Sequence, residues 1–111
     1  MTKGKPVPVV WAENGGAPVA GSAVLAPERL QLEGGSRDEP RSREIRFADV
    51  VSVHIGRKPS QRVGGRAAVQ LELDDGSTVA LAGFAATMLH ELAEVLWVAT
   101  GTHPEPNPET A

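Results

Sequence analysis

Residues 84–99, FAATMLHELAEVLWVA, decide how the chain is read. At about 100° per residue, Phe84, Ala85, Met88, Leu89, Leu92, Val95, Leu96 and Ala99 share one face, and Thr87, His90, Glu91 and Glu94 fall on the other. That is the pattern of one amphipathic helix, stopped by Thr100-Gly101. Everything upstream is short, alternating and broken by turn residues, so the spacing predicts a small sheet closed by this helix.

Immediately upstream lies the clearest local pattern. Val69, Leu71 and Leu73 alternate with Gln70 and Glu72, and beyond a turn Val79 and Leu81 alternate with Thr78 and Ala80. A two-residue Asp75-Gly76 turn would leave Val79 and Leu81 on the polar face. A three-residue loop, Asp74-Asp75-Gly76, instead pairs Leu71 with Val79 and Val69 with Leu81, with Gly76 in the left-handed conformation.

Further out, Ile45 and Phe47, then Val51, Val53 and Ile55, mark two strands around a bend at Ala48-Asp49. Val19–Leu25 and Arg29–Glu33, joined through Pro27, make an earlier pair. Val7, Val9 and Trp11 alternate in the first strand, and Pro8 places that strand at a sheet edge, where no ladder N–H is needed. Two segments lack this patterning. Gly34–Arg43 has no apolar residue beyond its glycines and proline and is expected to be a solvated loop; Gly56–Arg66 is a second polar loop. The expectation is mainly β: about seven short antiparallel strands and one helix near 84–99, in one domain over 1–101 with its core at about 19–99. The proline-rich residues 102–111 are expected to form a disordered tail.

Composition limits the function classes. The chain has 111 residues, enough for one hydrophobic core, and it has no cysteine, so disulfides, thiolate nucleophiles and Cys-based metal sites are excluded. No stretch approaches the length of a membrane span or a signal-peptide core, and the expected location is the cytoplasm, free or peripheral to a membrane. The net charge of −3 is uneven: Arg37–Arg66 carries eight basic residues against four acids. Such asymmetry marks either an anion-facing surface or two solvated loops.

The order of elements resembles the pleckstrin-homology-like superfold, including its small bacterial and GRAM-type members. The residues that carry the likeness are GSAVLAPERLQLEG, EIRFADVVSVHIGR, AAVQLELDDGSTVALAG and the closing helix, over about Val19–Ala99. It implies an open barrel of two nearly orthogonal sheets plugged by the helix, and an interaction module for lipids or peptides. Lipid-binding members usually carry basic residues on the first hairpin, whereas Val19–Glu33 offers only Arg29.

No catalytic constellation is legible, and no enzyme, metal or cofactor is expected. His90-Glu91-Leu92-Ala93-Glu94 has Glu where a helical zinc motif needs its second His. There is no phosphate-binding glycine loop and no nucleophile elbow. Net acidity and the lack of aromatics among the basic residues argue against nucleic acid.

Two candidate sites remain. The helical wheel puts Trp97 roughly 150° from the centre of the apolar face, beside Ala86, His90 and Ala93, where a large aromatic among small residues suits a protein partner or self-association. The competing reading folds the first strand, with Val9 and Trp11, over the same face; both expect Trp97 to be covered. The second candidate is an anionic membrane surface met by Arg41 and Arg43 in the first polar segment and by Arg57, Lys58, Arg62 and Arg66 in the second.

Overall fold

In the computed structural model of the protein, which describes residues 6–84 and 87–102, seven antiparallel strands form one continuous curled sheet closed by one helix. The strands are β1 (Val7–Glu13), β2 (Val19–Leu25), β3 (Arg29–Gly35), β4 (Pro40–Arg46), β5 (Val50–Gly56), β6 (Ala68–Leu73) and β7 (Thr78–Gly83); the helix α1 is Thr87–Thr100. Their order across the sheet is β4-β3-β2-β1-β7-β6-β5. The two expected sheets are thus the two meanders β1–β4 and β5–β7, joined where β1 pairs with β7. A single 3₁₀ turn at Phe47–Asp49 carries the chain from one edge strand to the other.

The hairpin register is the one the apolar pattern demands. Val69 pairs with Leu81 and Leu71 with Val79. The Leu73 N–H donates to Ser77 O at 2.9 Å across a three-residue loop, in which Gly76 has φ 87°. A side chain in that left-handed region costs about 1–2 kcal/mol, which glycine avoids.

Three expectations are corrected. First, β1 is central, between β2 and β7. Its ladder with β7 begins only at Val9, one residue past Pro8, so the proline sits at the frayed start of an interior strand. The core accordingly begins at Val9 and Trp11, both fully buried, rather than near residue 19.

Second, Gly34–Arg43 is a tight hairpin, not an open loop. Gly34 pairs with Arg41 and Gly35 with Pro40, leaving only Ser36–Glu39 to turn the chain. An edge strand needs no apolar stripe on both faces, so its polar sequence disguises it.

Third, α1 is rotated by roughly 60° from the expected apolar face, at 100° per residue. Leu89, Leu92, Ala93 and Leu96 are the buried positions, whereas Phe84, Val95 and Val98 are exposed. The reason is Trp97: its bulk packs against the core, and turning it inward swings Val95 out. The start of the expected helix, Ala85 and Ala86, and residues 103–111 lie outside the described residues.

A second, smaller cluster lies on the opposite face of the sheet. Ala12, Ala68 and Ala82 are small outward-facing residues, and Val63, only 3% exposed, closes over them. The Gly56–Arg66 segment is therefore a strap, not a free loop. Gln70 Nε2 donates to Gln61 O at 2.7 Å and Arg62 Nε to Arg57 O at 3.1 Å, fixing it in place.

Candidate functional site

The residues of α1 divide into three strips. The buried strip, centred on Leu92, Ala93 and Leu96, fills the barrel end. Beside it Trp97 is half-buried and donates its indole N–H to Val53 O at 2.7 Å. Val53 lies on β5, an edge strand, and this carbonyl faces away from β6, so the indole satisfies a group the ladder leaves open. The third strip, Glu91, Glu94, Val95 and Val98, faces outward.

This geometry revises the first candidate site. Ala93 is fully buried beneath the helix and offers nothing to a partner. Trp97 is covered, as both sequence readings expect, but by β5 rather than by the first strand. His90 is exposed at the margin, and Ala86 lies outside the described residues. What the helix presents is Val98, 84% exposed, and Val95, 45% exposed. With Glu94 and Ala99 they line an open groove of about 420 Å³ whose exposed surface is almost wholly apolar.

Val98 was legible in principle. On the wheel it falls between Glu91 and Glu94, an aliphatic residue on the acidic side. The C-terminus of the helix fixes its position, since the Gly101 N–H donates to Val98 O at 3.3 Å with Gly101 at φ 72°.

The basic residues do not form one surface. Arg41 pairs with Gly34 and Arg43 with Leu32, so both share the core-facing side of β4. The Arg41 guanidinium lies 5.7 Å from the Trp11 ring centroid, and Arg43 Nε is buried without a hydrogen-bond partner. Trp11 itself reaches past β2 to β3 and donates Nε1 to Glu33 O at 3.1 Å. Arg57, Lys58 and Arg62 ride on the strap, which covers the opposite face. Arg66 is engaged locally: it donates to Phe84 O at 2.8 Å and its guanidinium stands 6.0 Å from the Phe84 ring centroid.

Among the described residues no group of three His, Asp or Glu side chains is placed to hold a metal ion. Among the described residues the one ionisable group displaced from its ordinary range is Asp75, at the β6–β7 turn. Hydrogen bonds from the Ser77 hydroxyl and backbone N–H hold its carboxyl below the usual aspartate value, with a smaller contribution from the charge of Arg43.

No family model and no curated protein matches the chain. Solved structures do. The C-terminal domain of an unknown protein from Leishmania infantum is similar at TM-score 0.70 and 13% identity, over 91% of this chain and 85% of that one. The C-terminal PH domain of human FYVE, RhoGEF and PH domain containing protein 3 is similar at TM-score 0.65 and 21% identity, over 93% and 92%. The linker-DH/PH domains of p115-RhoGEF are similar at TM-score 0.62 and 10% identity, over 95% of this chain and 32% of that one. At these identities the likeness shows the fold: the chain has a pleckstrin-homology-like fold, without assignment to the bacterial or GRAM-type branch.

Proposed function

We propose that the protein is a non-catalytic interaction module that receives a protein partner on the outer side of α1. The observation that carries this reading is the exposure of Val98 and Val95 in one apolar groove on an otherwise acidic helix face. Single exposed valines are ordinary; two on adjacent turns, forming a groove, make a contact surface. Trp97 borders that surface and holds the helix to β5, which fixes the presentation of the valines. The fold is consistent with such a role.

The test is Val98→Asp in the full chain, with a tagged copy used to recover bound protein. The site is solvent-facing, so the melting temperature should hold within experimental scatter while recovery of the partner falls at least tenfold. Undiminished recovery would remove α1 from the interface.

A second reading, engagement of anionic headgroups, is supported by Arg57, Lys58 and Arg62, which stand exposed on a pinned strap. Arg41 and Arg43 face the other way and Arg66 is held at Phe84, so of the six residues expected from the chain order these three remain. At about 1 kcal/mol per basic residue, binding to anionic vesicles would be weak and strongly salt-dependent. Co-sedimentation with anionic vesicles at low salt, lost in Arg57→Glu/Lys58→Glu, is its test.

A further inference from the structure

We infer that the partner of the α1 face is a second copy of this chain, with the acidic-apolar strip of each helix seated on the basic strap of the other. This inference rests on the proposed role of α1 and adds the identity of its occupant.

The charge distribution favours it. Glu91 and Glu94 are exposed on α1, which carries no Lys or Arg at all. Among the described residues the one ion pair is Arg29–Glu44, and none of them neutralises these glutamates or Arg57 and Lys58. A partner for the helix must therefore bring positive charge, and the strap carries it in exposed Arg57, Lys58 and Arg62.

Two further features make the match specific. The strap is pinned, by buried Val63 and by the bonds of Gln70 to Gln61 and Arg62 to Arg57, so its charges are presented without a large ordering cost. It also ends against the entrance of the helix, where Arg66 holds Phe84. The end of the strap and the entrance of the helix therefore meet on one molecule, and a two-fold axis beside that junction would satisfy both contacts at once. Helix against helix is disfavoured, because it would set Glu91 and Glu94 against their own symmetry copies.

Sedimentation velocity of the full chain over rising concentration, up to roughly millimolar, tests the inference with two variants. Glu91→Lys/Glu94→Lys makes both patches basic, and Arg57→Glu/Lys58→Glu makes both acidic. The wild type is expected to dimerise, more weakly as salt rises. Each variant alone is expected to stay monomeric, and an equimolar mixture to form the heterodimer, since each then meets its complement twice. A wild type that stays monomeric overturns the inference, as does a variant that dimerises unaided. If the monomeric wild type still loses a different bound protein on Val98→Asp, the second-copy inference falls while the α1 reading stands.

Discussion

The indole N–H of Trp97 donates to the carbonyl oxygen of Val53 at 2.7 Å, fastening α1 to the open edge of β5. An edge strand displays unpaired backbone groups, and β5 is blunted twice: by this bond and by the register shift between Val50 and Ser52. Trp97→Phe loses the donor and the pyrrole part of the ring, and keeps a six-membered ring against the core. It should cost about 0.5–1.5 kcal/mol in urea unfolding, and Trp97→Ala about 3–5 kcal/mol. A Trp97→Phe variant as stable as the wild type would mean that the bond contributes nothing.

Curvature of the β2–β3 ribbon depends on the glycine pair Gly21 and Gly34, which face each other in the ladder. A Cβ on Gly34 would stand 2.6 Å from both Ala20 O and Val19 Cγ1, and one on Gly21 would meet Glu33 O. Neither backbone oxygen can step aside cheaply. Gly34→Ala should therefore lower stability by about 1–3 kcal/mol, visible as a lower melting temperature, whereas Gly16→Ala, at the β1–β2 turn, should cost less.

How much of this was legible follows from which residues speak locally. The β6–β7 register could be read because one alternative buried Val79 and Leu81 and the other exposed them. The β4 strand could not, because Arg41 and Arg43 read as loop residues although their backbone is paired. The helix was placed correctly and turned wrongly: a wheel weighs Val95 and Trp97 by class, while packing weighs them by volume and by a hydrogen bond to β5. Chain order leaves open whether the two basic segments meet in space. Strand parity, which needs the pairing, puts them on opposite faces of the sheet.

The strap prediction concerns Val63. Its side chain is the one buried anchor in a polar segment, so Val63→Ser should release residues 57–66 without unfolding the sheet. Hydrogen exchange should speed up in the strap and remain slow at Val69, Leu71 and Leu81. Uniform acceleration would show that the strap is part of the main cooperative unit.

Acid titration isolates Asp75. Its folded-state pKa is held down by Ser77 and, less, by Arg43. A depressed carboxylate contributes stability above its unfolded pKa and loses it as pH falls through the folded value. The melting-temperature gap between wild type and Asp75→Asn should thus be present at neutral pH and shrink as pH falls through and below the ordinary aspartate range. Arg43→Gln should raise the Asp75 pKa slightly in a carboxyl-resolved NMR titration.

The most direct measurement is photo-cross-linking from position 98. A photoreactive side chain replacing Val98, which is 84% exposed, should yield a specific protein adduct in cells that express the full chain. The same group at Ser22 on the far side of β2, and at Glu13 by the β1–β2 turn, should yield none. Adducts at position 98 alone would establish the outer side of α1 as the interaction surface. Adducts confined to the control positions, or none at 98, would contradict it.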